Sequence, residues 1–596
     1  MMQEYATPSI ATVDPNTTTI TKLQEYRSQR PTLPLFKRRT DAGNWVTVTA
    51  SQFADEVDEI AKGLIAAGAK PGDRIALLSG TRYEWSVIDY AIWRTGATTV
   101  AIYETSSPDQ VEWILTDSGS SILIVENAGH RSRHQEVIAA APELRETLVI
   151  EDGALNSLRK RGADIPSSTL DEREANAKAA DAATLIYTSG TTGRPKGVVL
   201  THQNFLEEVV ATAEAVGSGL QEGKSTLLFL PLAHVFARVV AVGCVENGVI
   251  LGHTNDIPNL VADLGVFKPS YVLSVPRVFE KVYNSAEQKA IDGGKGAIFA
   301  KAVDTSIAYS RATESGSAGL ALKIKHAVFD KLVYTKLRDA LGGECEGAIA
   351  GGAALGDRLG HFFRGAGIPV YEGYGLSETT AAVTANNEEH SRIGSVGRPV
   401  PGVTIKIAED GEILLRGGMV FSGYWQNEQA TADSIRDGWF HTGDIGRLED
   451  GYLFITGRKK ELIVTAGGKN VSPAQLEDSI RAHPLVSQCL VVGDKKPFIA
   501  ALITLDPEAL PGWLERHGLP ASTPLSELTS NADVRAELDA AVAEANSKVS
   551  NAEAIKKYSV LDTDFTIESG ELTPTMKLKR NVIHDSYKQA IADLYT

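Results

Sequence analysis

Between Tyr187 and His202 the chain reads YTSGTTGRPKGVVLTH, with apolar residues leading in (Ala183, Leu185, Ile186) and leading out (Val198, Val199, Leu200). Two short apolar runs this close together predict two strands of one sheet, joined by a loop of glycines and hydroxyls. A Walker-type phosphate loop needs Gly-Lys-Ser/Thr opening a helix. Here Lys196 follows Pro195 and precedes Gly197, and the chain leaves as a strand. The segment therefore reads as a hairpin whose tip closes on an anion. Its backbone N–H groups and the hydroxyls of Thr188, Ser189, Thr191 and Thr192 suit phosphate oxygens. Gly190 and Gly193 permit close approach, and Lys196 supplies a point charge. Taken alone, the same composition also fits a plain polar turn.

The rest of the chain alternates helices with buried strands. Residues 1–50 read as an extended lead-in. Thr49 or Ser51 is placed to cap a helix that Gly68 ends, and short apolar strands follow at SSILIVE and ETLVIED. This alternation predicts an α/β fold of doubly wound sheets with parallel strands. A second helix–strand series runs from about 203 to 395, interrupted at 285–340 by a mostly helical insertion. From 396 to 457 short alternating strands indicate a small β unit. Residues 461–596 form a smaller α/β lobe, with a hairpin in CLVVGDKKPFIAALITLD and a helix in ELDAAVAEANSKV. At 596 residues, two to four lobes are expected.

Charge narrows the function. The 59 basic and 75 acidic residues leave a net charge of −16, which offers no broad surface for nucleic acid. Cys244, Cys345 and Cys489 lie far apart, without metal-ligand spacing, and fit a reducing cytoplasm. The first residues lack the pattern of a signal peptide, and no run of about 18 apolar residues suggests a membrane span. Peripheral membrane contact stays open, though no amphipathic basic helix stands out.

Further stretches carry chemistry. In YEGYGLSETT, Glu378 offers a carboxylate suited to a hard cation bridging phosphates. In HTGD, Asp444 can accept from two vicinal hydroxyls at once. In LPLAHVFAR, His234 lies in an apolar run; LTPTMKLKR near the C-terminus carries two lysines, Lys577 and Lys579.

Taken in order with the Tyr187–His202 loop, these stretches resemble the motifs of the acyl-adenylate-forming superfamily, which includes acyl-CoA synthetases, peptide-synthetase adenylation domains and luciferases. The resemblance implies ATP or AMP held by the phosphate loop (Thr188 to Gly193, and Lys196). It implies that Gly351 and Gly352, in AIAGGAAL, form an adenine wall, and that Gly373, Tyr374, Gly375 and Ser377 belong to the adenine motif. It implies Mg²⁺ on Glu378 and Thr188, ribose on Asp444, and Arg458 on the ribose and phosphate side. Residues 458–460 become a hinge centred on Lys460 between a large lobe, 1–457, and a small lobe, 461–596. Gly467 and Gly468 would line the route of coenzyme A. His234 would act at the acyl carboxylate. Aligning the last motif on Thr575 gives the catalytic role to Lys579, with Lys577 as competitor.

The helical insertion and the form of the last motif resemble the long-chain branch. The implied reaction joins a fatty acid to CoA through acyl-AMP and pyrophosphate. The alternative is a fatty acyl-AMP ligase that delivers to a carrier protein in trans. A carboxylic acid reductase domain and a catalytically dead scaffold fit less well: no Rossmann unit is expected after the last motif, and Glu378, Asp444, Arg458 and Lys579 are all present.

Overall fold

A computed structural model describes residues 3–10, 12–40, 42–188, 194–573 and 576–596. One sheet of the large lobe runs, edge to edge, through Gly423–Tyr424, Lys196–Thr201, Ala182–Thr188, Thr98–Ile102, Arg74–Leu78, Ile122–Val125 and Glu146–Val149. From Ala182–Thr188 onward its strands are parallel, while Lys196–Thr201 and Gly423–Tyr424 are antiparallel. The helix Ala50–Ala66 covers it. Thr49 accepts from the Gln52 N–H while the Gln52 side chain returns to the Thr49 N–H, which satisfies two free donors of the first turn. Gly68, at φ +95°, lets the chain turn away. Phe53, Val57, Ile60 and Leu64 on the inner face are fully buried. Each contributes about 1.5–3 kcal/mol.

A second sheet carries Tyr271–Ser274, Gly347–Ala350 and Val370–Leu376 in parallel, then Ala381–Ala385 and Arg398–Pro399 antiparallel. The register shifts between Tyr374 and Gly375. A Cβ at Gly375 would stand 1.3 Å from the Ala381 carbonyl oxygen, so only glycine fits this bulge. Thr380 and Ala381, at φ +56° and +104°, carry backbone strain beside it. The strain is held from outside: the Thr380 hydroxyl donates to Met419 O at 2.7 Å, and the Ala382 N–H donates to Glu208 Oε1 at 2.8 Å.

The helical insertion begins earlier than the sequence suggests, at Pro276, because proline suits a first helical turn that needs no N–H partner. It continues through Gly296–Glu314, Leu320–Phe329, a π-helical stretch Asp330–Tyr334, and Thr335–Ala340. The small β unit is a sheet of Thr404–Ile407, Glu412–Arg416, Ile435–Arg436, Trp439–Glu449 and Tyr452–Arg458. Glu4–Ala6 adds to its edge against Thr404–Ile407. A three-residue strand is too short to show a period, so the lead-in segment gave no sign of this pairing.

In the small lobe Val486–Val492 and Ile499–Leu505 form the expected hairpin, joined in parallel by Ile555–Val560. Both hairpin strands are buried throughout. Cys489 and Val491 face the helices Pro473–Arg481 and Ala532–Ser547, while Leu490 and Val492 face the helices Arg580–Ser586 and Lys588–Asp593. Ion pairs cross between the lobes: Arg277 Nη2 lies 2.9 Å from Asp506 Oδ2, and Lys281 Nζ lies 2.8 Å from Glu508 Oε1. Among the described residues no helix is long and apolar enough to cross a membrane.

Candidate active site

The phosphate-loop hairpin stands as read, with Thr188 and Lys196 paired across its two strands. Ser189, Gly190, Thr191, Thr192 and Gly193 lie outside the described residues. The legs of the loop are held by aromatic groups. Trp113 Nε1 donates to Pro195 O at 2.8 Å, Tyr187 donates to Asp117 Oδ2 at 2.6 Å, and the Trp425 N–H donates to Gly197 O at 2.7 Å. Lys196 Nζ sits 4.9 Å from the centre of the Tyr424 ring.

The same tyrosine reaches the next predicted residue. Tyr424 donates its hydroxyl to Glu378 Oε1 at 2.8 Å. Burial raises the Glu378 pKa; the Tyr424 hydrogen bond and the charges of Arg458 and Lys196 oppose the rise. Glu378 sits in the single turn Ser377–Thr379, closed by the Thr380 N–H on Ser377 O. Its carboxylate and the Thr188 hydroxyl are hard oxygen donors that fit Mg²⁺. No group of three or more His, Cys, Asp or Glu able to hold a metal occurs among the described residues, so such an ion would draw its remaining ligands from phosphate and water.

On the other side, Tyr374 donates to Asp444 Oδ2 at 2.6 Å, and Arg458 Nε lies 3.1 Å from Asp444 Oδ1. Asp444 and Arg458 are direct partners on adjacent strands, which explains why residues 14 apart in sequence share a carboxylate. Burial lowers the Arg458 pKa, but Asp444, Glu461, Tyr374 and Glu378 together raise it further, so the guanidinium stays charged. Gly351 follows the strand Gly347–Ala350; its N–H donates to Ser274 O at 3.1 Å, and a Cβ there would stand 3.6 Å from the Phe236 ring. Gly352, at φ +86°, turns the chain away. At Gly373 a Cβ would lie 3.0 Å from Thr384 O, so this wall too is bare backbone.

His234 caps the helix Val235–Asn247, its Nδ1 accepting from the Phe236 N–H at 3.2 Å. With Nδ1 an acceptor, the proton of the neutral ring belongs on Nε2. Burial pushes the His234 pKa down to about 4, helped by the charge of Lys577.

The two candidate lysines separate clearly. Burial lowers the Lys577 pKa and Arg458 lowers it further, against Asp444, Glu461 and Glu378. The charges that act on Lys577 are therefore those of the predicted site, although the residue is exposed to solvent. Lys579 instead precedes the helix Arg580–Ser586; its N–H donates to Glu571 O at 2.7 Å, and its carbonyl accepts the Ile583 N–H. The charges of Arg458, Asp444, Glu461 and Glu378 thus act on Lys577, the competitor of Lys579 in the sequence reading. Side chains two apart on an extended segment face the same way, but the helix start after Lys579 breaks that rule. Arg580 anchors the segment: its Nη2 is 2.5 Å from Glu477 Oε2 and its Nε 3.4 Å from Glu461 Oε2.

Gly467 and Gly468 are not part of this cluster. They lie exposed at the tip of the hairpin Ile463–Val464 and Asn470–Val471, whose polar contacts stay within the small lobe, as in Lys469 to Glu553 at 3.3 Å. Lys460 is exposed in the turn after Tyr452–Arg458, next to Lys459, which pairs with Asp410 and Glu412. Tyr424, Glu208, Phe236 and Arg580 were absent from the sequence reading. Nothing local marks them; tertiary pairing alone brings them to the site.

A large α/β lobe followed by a smaller one is the fold of an adenylate-forming enzyme. A model of the AMP-binding enzyme family matches residues 23–425, and one of the AMP-binding enzyme C-terminal domain matches residues 460–596. The chain belongs to the AMP-binding enzyme family. It is 50% identical, over 100% of both chains, to proteins named long-chain-fatty-acid–CoA ligase FadD15 from Mycobacterium tuberculosis and Mycobacterium bovis. It is 33% identical to the long-chain-fatty-acid–CoA ligase ACSBG2 of Gallus gallus, over 93% of this chain and 78% of that one. Among solved structures, the adenylation domain of a carboxylate reductase from Mycobacterium chelonae matches with TM-score 0.75 at 20% identity, covering 98% of this chain and 92% of that one. The anthranilate CoA ligase AuaEII, in complex with anthranoyl-AMP, matches with TM-score 0.72 at 20% identity, covering 97% and 99%. At these identities the structures establish the fold.

Proposed function

We propose that the protein is an AMP-forming long-chain fatty acid–CoA ligase. The full-length 50% identity to proteins bearing that name carries the substrate class. The electrostatic linkage of Lys577 to Glu378, Asp444, Arg458 and His234 supports the chemistry.

In the first step a fatty carboxylate oxygen bonds to the α-phosphorus of ATP, and the bond to the β-phosphate oxygen breaks. Acyl-AMP and pyrophosphate result. Asp444 accepts from the ribose hydroxyls, Arg458 steadies the phosphate side, and Tyr374 lies along the adenine. Lys577 offsets the negative charge that develops at the α-phosphate. Mg²⁺, when bound, neutralises phosphate oxygens, and Glu378 with Thr188 would hold it. His234 offers its Nε2–H to the acyl carboxylate. In the second step the CoA sulfur bonds to the acyl carbon, the carbon–oxygen bond to AMP breaks, and the thiol proton passes to solvent. Turning the small lobe about Lys460 would withdraw Lys577 and bring in Gly467 and Gly468.

The test is AMP formation from ATP, Mg²⁺ and a palmitate-length acid, with and without CoA. CoA-dependent AMP release supports the ligase. Acyl-AMP that accumulates and ignores CoA would instead indicate a ligase feeding a carrier protein.

A further inference from the structure

The helix Leu320–Phe329 has an unusual surface. Its inner face is tied down: the His326 ring stacks on Tyr309 at 3.9 Å and bonds to Gly365 O at 2.6 Å, while Phe329 and Val333 pack on the main core. The outer face therefore cannot rotate inward. At about 100° per residue, Leu320, Ala321, Ile324, Ala327 and Val328 fall within one sector of roughly 120°. Every one of them is exposed. Leu320 is 74% exposed, Ile324 59%, Val328 52%, and Leu332 in the next turn 52%. The wider turn of the π-helical stretch, Asp330–Tyr334, offsets the drift of a four-residue spacing and keeps Leu332 near the stripe. From Leu320 to Leu332 the stripe runs about 18 Å. A helix face turned to water is normally polar, and an apolar stripe of this kind marks an interaction surface.

Charge indicates the partner. Lys323 and Lys325 flank Ile324 at about 100° on either side, and exposed Lys331 and Lys336 follow. Between residues 317 and 336 the single acidic residue is Asp330, and Arg338 neutralises it at 2.8 Å. A chain of net charge −16 thus gathers cations along the margins of its apolar stripe. Lysines at such margins extend their charged ends to phosphate headgroups while the stripe sinks among acyl chains. Packing the stripe against a second copy would bring Lys323 and Lys325 of each chain onto those of the other. We propose that the exposed face of residues 320–332 docks the protein on an anionic phospholipid bilayer.

The test is flotation of the full chain with phosphatidylcholine vesicles, with and without phosphatidylglycerol. It uses no turnover, so it is independent of the substrate reading. Wild type floats with the anionic vesicles and is released as salt rises from about 0.1 M to about 1 M. Ile324→Glu with Val328→Glu lowers partitioning at least tenfold or so, by placing charge among acyl chains. Lys323→Glu with Lys325→Glu lowers it by roughly tenfold or more. Ile10→Glu, at a distant exposed apolar residue, leaves partitioning unchanged. Equal melting temperatures establish that the variants fold. Wild type that stays unbound at every composition, or an Ile324→Glu/Val328→Glu protein that floats as well as wild type, overturns the proposal. A dimer that the same pair of changes dissolves, with no flotation of wild type, assigns the stripe to a second copy and overturns it equally.

Discussion

Tyr424 donates its hydroxyl to Glu378 Oε1 at 2.8 Å across 46 residues of sequence. This bond both orients the carboxylate and opposes the rise in pKa that burial imposes. Tyr424→Phe should therefore weaken the hold on Mg²⁺ while leaving the fold intact. The Mg²⁺ concentration for half-maximal ATP–pyrophosphate exchange is expected to rise about ten- to a hundredfold, for the loss of a hydrogen bond to a charged group. An unchanged Mg²⁺ titration would remove Tyr424 from the site.

Lys577 and Lys579 should differ sharply. Lys577→Ala is expected to slow acyl-AMP formation about 10²–10³-fold, as loss of one transition-state donor does. Thioester formation from preformed acyl-AMP should be little changed. Lys579→Ala should keep both half-reactions within a few-fold. Because the Lys577 pKa is lowered, its positive charge is lost at a lower pH than that of a free lysine. Adenylation should fall on that alkaline limb, and Lys577→Arg should move the limb upward. Single-turnover rates across pH decide the matter; the opposite order of the two alanine variants would restore Lys579.

The pairs Arg277 to Asp506 and Lys281 to Glu508 hold the lobes in the arrangement that joins Lys577 to the site. Arg277→Ala with Lys281→Ala should favour other lobe orientations. Partly exposed pairs contribute about 1 kcal/mol each at most, so losing both should slow acyl-AMP formation up to about thirtyfold. The second half-reaction, run from acyl-AMP, should be equal or faster. Equal slowing of both steps would show that the pairs only stabilise the fold.

Glu208 supports the strained segment through the Ala382 N–H, and burial pushes its pKa up to about 8. Its Oε2 is buried without a partner. The folded pKa lies above that of the unfolded chain, so this stabilisation is full below about pH 4.5 and is lost as pH rises through about 8. Glu208→Gln mimics the protonated acid. Its unfolding free energy should hold up better than that of wild type between about pH 5 and about pH 8, by up to a few kcal/mol, read from denaturant melts across pH. Parallel pH curves for the two proteins would exclude the linkage.

Much of this molecule was legible from local pattern. The strand–loop–strand of Tyr187–His202, the capped helix after Thr49 and the hairpin at Val486–Leu505 follow from period and turn chemistry, while Tyr374, Glu378, Asp444 and Arg458 come from likeness to family motifs. Such features depend on neighbours in sequence, where side-chain spacing and backbone preference act directly. The lysine assignment, the Tyr424 and Glu208 contacts, the edge strand Glu4–Ala6 and the lysine-flanked stripe of Leu320–Leu332 did not follow. Each depends on which face of an element packs inward or on groups brought together from distant segments. An apolar four-residue spacing reads as core until packing turns that face to solvent. Likewise, two lysines on one short segment are equivalent until the fold sets one among the charges of Asp444 and Glu378 and the other at the start of a helix.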